Sequence, residues 1–248
     1  MSVLNDRMGL LVATAEAVSR ALHGVTDWGP SGGRVGQYAL DVVADDAALS
    51  VLRGAGVGVL SEESGLEGGD RDEVVVIDPV DGSTNASRGV PYYATSLCLV
   101  DRDGPAVALV VNLATGVRYS AERGAGAWCD GVALAPSGCT DLGEAIVGLN
   151  GRPRTPFGYA QSRSFGALAL DLCLVASGVL DGYVDCVDDE HGVWDWAAGA
   201  LVCAEAGAPV VDAWDRDLFT LAHDTRRTPI AAATPELLAS LVAARRSV

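Results

Sequence analysis

With 248 residues, the chain is long enough to bury one large core or two smaller ones. A hydrophobic content of 49% with 20% charged residues excludes a disordered chain. The formal net charge of −16 argues against a nucleic acid polymer or an anionic membrane as partner, since both require basic surface. Every basic side chain apart from histidine is an arginine, which removes Schiff-base chemistry and a phosphate-loop lysine from consideration.

The chain opens on an amphipathic helix, with Leu4, Met8, Leu11, Ala15, Val18 and Leu22 at helical steps. A Gly/Pro/Ser-rich loop follows over Asp27 to Gly36, then a helix expected from Asp45 to Arg53. A strand at Val57 to Leu60 runs into Ser61-Glu62-Glu63-Ser64, and a charged turn at Glu67 to Asp72 precedes the four β-formers Val74 to Ile77. Strands at Ala94 to Val100 and Ala106 to Asn112 flank the hairpin turn Asp101-Arg102-Asp103-Gly104, and Val117 to Ala121 continues the antiparallel pattern toward a turn at Asp130-Gly131. From about Thr140 the character changes. A strand at Ala145 to Leu149, a loop from Asn150 to Gln161 and a helix from Gly166 to Ser177 lead to a strand at Tyr183 to Cys186. A helix from Trp194 to Ala206, a strand at Pro209 to Asp212, and a last helix capped by Thr234 with Pro235 at its first position, ending near Arg245, complete the pattern.

The six cysteines show no metal-ligand spacing and are expected as small buried hydrophobes in a reducing cytosol. No N-terminal leader pattern is visible, and no apolar stretch approaches the ~18 residues that span a bilayer. The expectation is a soluble, cytoplasmic protein without a membrane partner.

The chemistry concentrates in Val74-Val75-Val76-Ile77-Asp78-Pro79-Val80-Asp81-Gly82-Ser83-Thr84-Asn85. A hydrophobic strand that delivers two carboxylates needs a cation at its exit, and Mg²⁺ takes carboxylate oxygens and shares its shell with phosphate. Gly82-Ser83-Thr84 offers small residues and free N–H groups to a phosphate, above all if a helix starts there. A bound divalent cation also reconciles so acidic a chain with an anionic substrate. Two further acidic segments stand out, Glu62-Glu63 and Asp195 within Trp194-Asp195-Trp196-Ala197-Ala198-Gly199.

Taken in order and spacing, these segments resemble the inositol monophosphatase-like, Mg²⁺-dependent phosphatases (the lithium-sensitive sugar phosphatase superfamily). Arg163-Ser164-Phe165-Gly166 and Tyr119-x-Ala121-x-x-Gly124-x-Gly126-Ala127 extend the likeness over nearly the whole chain. The resemblance implies an α+β / α/β layered sandwich (αβαβα), with a half over residues 1–139 carrying most metal ligands and a half over 140–248 carrying Asp195 and the substrate loop. It implies a phosphomonoesterase acting on a small polyol or sugar phosphate by two-metal activation of water, in a homodimer. Glu62, Asp78 and the Val80 carbonyl would hold one Mg²⁺; Asp78, Asp81 and Asp195 would hold a second; a weaker third would sit near Glu62. Ser83 paired with Asp45 would orient the water, with Glu63 in support, and the Gly82 and Ser83 N–H groups would cradle the phosphate near Gly166.

The sequence departs from the family pattern at Asp41-Val42-Val43-Ala44-Asp45, where the usual threonine is missing and Asp41 or Asp46 competes with Asp45. Ser61 stands where glycine is usual, and the lysine common near the first motif has no counterpart. The segment Asp185-Cys186-Val187-Asp188-Asp189-Glu190-His191-Gly192 looks like a lengthened substrate loop, with Asp185 or Asp188 as the hydroxyl-binding acid and His191 as a candidate general acid. Other readings on the same fold are a bisphosphate or nucleotide 3′-phosphatase, a fructose-1,6-bisphosphatase, a histidinol-phosphatase or a specialised-metabolite phosphatase. A second phosphate would call on Arg152, Arg154 or Arg163. A reading of another class is a non-catalytic metal- and phosphate-binding regulator.

Overall fold

A computed structural model describes residues 3–33 and 37–247, with positions 3–6 as backbone alone. The Leu4 side chain and residues 34–36 of the expected loop lie outside the described residues. Helix α1 (Val3–His23) buries Leu11, Ala15, Val18 and Leu22 on one stripe, as the spacing predicts. Helix α2 (Ala39–Ala55) starts six residues before the expected Asp45, because the Asp41 carboxylate accepts the Tyr38 N–H at 2.8 Å and closes the first turn. Asp41 and Asp45 therefore lie one turn apart on the buried face of the same helix.

Strands β1 (Gly58–Ser61), β2 (Gly65–Glu67) and β3 (Val74–Asp81) come next, followed by the short helix α3 (Ser83–Ser87). Strands β4 (Ala94–Asp101), β5 (Gly104–Asn112), β6 (Arg118–Glu122), β7 (Gly126–Cys129) and β8 (Val132–Ala133) complete a sheet of order β2-β1-β3-β4-β5-β6-β7-β8. Only β1 and β3 pair in parallel within it. Strand β3 is buried on both faces, which explains its unbroken hydrophobic run. Val75 and Ile77 pack toward α1 and α2, whereas Val74 and Val76 pack toward the second half of the chain.

That half begins with β9 (Ile146–Asn150) and β10 (Gln161–Arg163), and continues through helix α4 (Leu168–Ala176), strand β11 (Gly182–Asp185) and helix α5 (Val193–Ala206). Strands β12 (Val210–Asp212) and β13 (Pro229–Ala232) and helix α6 (Pro235–Arg246) follow. The second sheet has the order β10-β9-β11-β13-β12. Helices α4 and α5 fill the space between the sheets, and α6 covers the far face through Leu237 and Leu241. The layers run α1α2, sheet, α4α5, sheet, α6: the expected αβαβα sandwich. The two sheets lie on either side of residues 139/140, while α4 and α5 pack against the first sheet and share its core.

At Gly199, the last residue of the Trp194 motif, α5 leaves no room for a side chain against α4. A Cβ there would sit 2.8 Å from the Leu172 Cβ and 3.2 Å from the Ala169 carbonyl oxygen. Five strands escaped sequence reading, β2, β7, β8, β10 and β13. Each has two to four residues, too few to display a period. The cysteines divide: Cys98, Cys173 and Cys203 are buried, whereas Cys129, Cys139 and Cys186 are half-buried, so the expectation of buried thiols holds for three of the six.

Candidate active site

Strand β3 does not end as a regular strand. Asp78 pairs with Ser96 and Asp81 with Ala94, so three steps on β3 match two on β4. In an unbroken strand, residues three apart face opposite ways. The bulge adds one residue and returns Asp81 to the face of Asp78. Pro79, without an N–H, cannot donate to the ladder, and its carbonyl is taken instead by the Thr95 hydroxyl at 2.8 Å. Val80 sits at the bulge, its N–H donated to Asp78 Oδ1 at 2.9 Å.

The third acid arrives on α5. Asp195 occupies the first turn and accepts the Gly192 N–H at 2.7 Å, where the helix dipole favours a carboxylate. The Ser96 hydroxyl donates to the Trp194 carbonyl at 3.1 Å and ties this turn to β4. Ligand atoms of Asp78, Asp81 and Asp195 thereby lie within 4.8 Å of one another. Glu62 reaches the same place from β1, whose parallel pairing sets Ser61 beside Ile77 and donates the Glu62 N–H to the Ile77 carbonyl at 3.2 Å.

The electrostatics of this cluster are one-sided. Burial, followed by the charges of Glu62, Asp81 and Asp195, drives the Asp78 carboxyl well above its usual range. Burial and the Asp195 charge do the same to Asp81, against the pull of the Ala169 N–H donated at 2.7 Å. Asp195 is raised as well, chiefly by burial and against the attraction of His191 and Arg226. Two like charges at 4 Å repel by about 4 kcal/mol at an effective dielectric constant near 20. A divalent cation reverses the sign of each such term. The donors are all hard oxygens, the set that suits Mg²⁺, Ca²⁺ or Mn²⁺ rather than softer ions.

The acids open onto a cavity of 320 Å³ lined by Glu62, Asp81, Asp195, Glu190, His191 and Arg226, with Gly166 also on its wall. Its floor includes Asp171, buried and pushed up to about 7 by burial, against the Tyr92 hydroxyl donated at 2.6 Å. Asn85, the last residue of the β3 motif, donates to the Tyr92 carbonyl at 2.8 Å and the Phe165 carbonyl at 2.7 Å, fastening the Gly166 segment to α3.

Gly82 precedes α3 with φ at +86°, a backbone region open to glycine. A Cβ there would meet the Gly166 carbonyl oxygen at 3.0 Å, the Ala167 Cβ at 3.1 Å and the Tyr92 carbonyl oxygen at 3.2 Å. Gly82→Ala is expected to cost about 1–3 kcal/mol of stability, read as a lowered urea midpoint at unchanged slope. Ser83 is the first residue of α3, half-buried, and its hydroxyl makes no hydrogen bond among the described residues.

Several expected roles are redistributed. Asp45 does not pair with Ser83: its Oδ1 takes the Ser61 hydroxyl at 2.5 Å, and burial raises its carboxyl despite that bond. Asp46 is exposed on the outer side of α2. Asp41, at the start of the helix, is the α2 acid whose charge acts on Asp78. Glu63 accepts the Gln37 side-chain amide, outside the three-acid cluster.

In the substrate loop, Asp188 turns away from the cavity and pairs with Arg245 at 2.6 Å and the Trp214 indole at 3.2 Å. Arg245 is anchored on α6 by burial and by its bond to the Asp185 carbonyl at 2.7 Å, and so draws Asp188 to the far side. Asp185 is fully buried and reaches the cavity only through His191, whose Nδ1 lies 2.7 Å away, and through Asn150 at 3.0 Å. The acid on the cavity wall is Glu190, held by the Asn150 amide at 2.7 Å. Burial disfavours the His191 imidazolium, but the Asp185 bond and the charges of Asp195, Asp185 and Asp81 outweigh it and push the ring up to about 9. Arg152, Arg154 and Arg163 are exposed and none lines the cavity; the cavity arginine is Arg226. Glu190 was visible as one of four acids in an acid-rich loop, but nothing in the sequence singled it out. Arg226 carried no signal at all, because it lies far along the chain in an irregular turn.

The model of the inositol monophosphatase family matches residues 38–248. The chain is 38% identical over 179 residues to a fructose-1,6-bisphosphatase/inositol-1-monophosphatase of Archaeoglobus fulgidus, covering 70% of this chain and 69% of that one. It is 34% identical to the Nus factor SuhB of Escherichia coli, over 76% and 73% of the two chains. An inositol monophosphatase structure from Anabaena (Nostoc) superposes with a TM-score of 0.82 at 24% identity, covering 100% of this chain and 98% of that one, a likeness of fold. With the family pattern running through the three acidic segments and over most of the length, this chain belongs to the inositol monophosphatase family, whose members are metal-dependent phosphatases, and is a phosphoric monoester hydrolase.

Proposed function

We propose that the protein is a Mg²⁺-dependent phosphomonoesterase of small polyol or sugar phosphates. The observation that carries this reading is the convergence of Asp78, Asp81 and Asp195 within 4.8 Å beside Glu62, with their carboxyls raised by burial and mutual repulsion. Glu62, Asp78 and the Val80 carbonyl are the donors for one ion, and Asp78, Asp81 and Asp195 for a second, with a weaker third near Glu62. Bound there, the ions would supply Lewis-acid polarisation of the ester and a water acidic enough to ionise near neutral pH. The N–H groups of Gly82 and Ser83 receive the phosphate, and the Ser83 hydroxyl, without another bond among the described residues, positions the attacking water. Asp41 takes the part first assigned to Asp45 as the α2 acid acting on this site. Glu190, steadied by Asn150, faces the alcohol portion of the ester. A cytoplasmic homodimer belongs to the same reading on the family likeness; among the described residues, no helix is long and apolar enough to cross a membrane.

The test is phosphate release from inositol, sugar, histidinol and nucleotide phosphates, with Mg²⁺ and then with EDTA. Turnover of at least one ester that stops on chelation is the expected result. Absence of turnover on every ester, with Mg²⁺ still bound by calorimetry, would favour the non-catalytic regulator.

A further inference from the structure

Hydrolysis of an alkyl phosphate releases an alcohol, whose oxygen must take a proton as its bond to phosphorus breaks. The groups on the cavity wall differ in their fitness to give one. Arg226 lines the cavity with its guanidinium 4.9 Å from the centre of the Trp194 ring, but an arginine does not release its protons. Asp171 lies on the floor, 2% exposed, with the Tyr92 hydroxyl donated to it at 2.6 Å. His191 stands apart from both. Its Nδ1 lies 2.7 Å from Asp185 Oδ2, and its side chain keeps 16% of its surface open. The other ring nitrogen is not closed off by the protein and makes no hydrogen bond among the described residues.

The placement of this ring is built from the second sheet outward. Strands β9 and β11 pair in parallel with Asn150 beside Asp185. Asp185 is fully buried at the end of β11, and its Oδ1 accepts the Asn150 amide at 3.0 Å and the Val187 N–H at 3.0 Å. Its carboxylate thus serves as an acceptor at both oxygens, and the proton between Asp185 and His191 sits on Nδ1. The backbone of His191 is held as well. Its carbonyl accepts the Arg227 N–H at 3.0 Å, and the next residue, Gly192, donates its N–H to Asp195 Oδ2 at 2.7 Å. A carboxylate behind Nδ1 fixes the ring and stabilises its positive charge, so Nε2 can carry a proton and lose it. Side-chain atoms of His191 and Glu190 lie within 4.8 Å of each other. The ring therefore stands on the side of the cavity where Glu190 faces the alcohol.

We propose that His191 is a catalytic residue, the general acid that passes its Nε2 proton to the alcohol oxygen leaving phosphorus, with Asp185 as its positioning residue. The bond from phosphorus to the ester oxygen breaks and its electron pair stays on that oxygen, which takes the His191 proton and departs as the alcohol. Water forms the new bond to phosphorus, and the proton it sheds returns the ring to its charged form. One water is consumed for each alcohol and phosphate released. The assignment rests on the phosphatase reading above and adds its proton donor.

The test compares kcat/KM for two esters at saturating Mg²⁺ in the full chain: the alkyl ester turned over fastest in the panel above, and 4-nitrophenyl phosphate, whose phenolate leaves without a proton. His191→Gln is expected to lower the value for the alkyl ester by at least about a hundredfold, and that for 4-nitrophenyl phosphate by no more than about threefold. The retained turnover of the aryl ester shows that the variant has folded. Asp185→Asn should give the same selective loss at a smaller size, at least about tenfold. Asp171→Asn keeps an acceptor for Tyr92 and removes the other buried carboxyl of the cavity, so the ratio of the two values should stay at wild type. Equal losses on both esters in His191→Gln or Asp185→Asn, no loss in His191→Gln, or a fallen ratio in Asp171→Asn overturns the proton donor while leaving the phosphatase reading intact. A wild-type chain that releases phosphate from no ester overturns both.

Discussion

Asp81→Asn is expected to abolish Mg²⁺-dependent phosphate release while leaving the chain folded. The carboxylate supplies one of the oxygens that converge with Asp78 and Asp195, and its loss removes charge from the place where cations must be held. Several kcal/mol of charge stabilisation in the transition state translate into about 10³-fold or more in rate. The fold has reason to survive. Asn can still accept the Ala169 N–H that Asp81 takes at 2.7 Å, so the start of α4 keeps its partner. The substitution also removes one of the mutually repelling acids, so in EDTA the variant should melt no lower than wild type by circular dichroism. Full activity in Asp81→Asn would sink the two-metal mechanism. A collapsed melting temperature would show that Asp81 is needed by the scaffold instead.

Stability without metal should fall as pH rises. The carboxyls of Asp78, Asp81 and Asp195 titrate above the ordinary carboxylate range in the folded chain, against about 3.9 when unfolded. From pH ~4 upward the folded state therefore holds more protons than the unfolded one, and stability declines with pH. Asp171, pushed up to about 7, acts in the same direction. So does His191, whose contribution is complete below about 6.5 and is lost as pH rises through about 9. Asp101 and Asp212 are lowered by their arginine partners and lose their contributions only at acid pH.

Melting in EDTA should accordingly drop between pH 5 and pH 8. Mg²⁺ should restore the loss at pH 8, because the ionised acids are then its ligands. At a hundredfold excess over Kd each site adds about 2.7 kcal/mol, or roughly 5–10 °C for a chain of this size. A metal-free chain that melts at pH 8 as high as at pH 5 would contradict the repulsion inferred for the cluster.

Local traces in the sequence carried the alternation of helices and strands and the two acids that end β3, whereas the grouping of Asp195 with those acids came from the family resemblance. Strand β3 is covered on two faces and so reads as continuous hydrophobicity, and its acids have no other reason to end such a run. The α2 start was misplaced because its signal is a single carboxylate, Asp41, closing onto the Tyr38 N–H. Asp45 carried the helical pattern but is engaged by Ser61 from β1, a contact between elements that no spacing displays. In the substrate loop, charge alone could not separate Asp185, Asp188 and Glu190. Their fates are set by partners distant in sequence: Asn150 holds Glu190 at the cavity, and Arg245 draws Asp188 away from it. Arg226 shows the same limit, since its value depends on stacking against Trp194.

The bulge in β3 carries one more consequence. In a strand packed on both sides, parity works as an address: even positions Val74 and Val76 belong to one layer, odd positions Val75 and Ile77 to the other. Ordinary counting would deliver Asp81 to the odd layer, among the helices α1 and α2. The extra residue between Asp78 and Asp81 shifts the address by one, without any change in the residues on either side. The number of residues between Asp78 and Asp81 therefore decides which layer Asp81 enters. The spacing of two acids is thus a property of the ladder on which they stand.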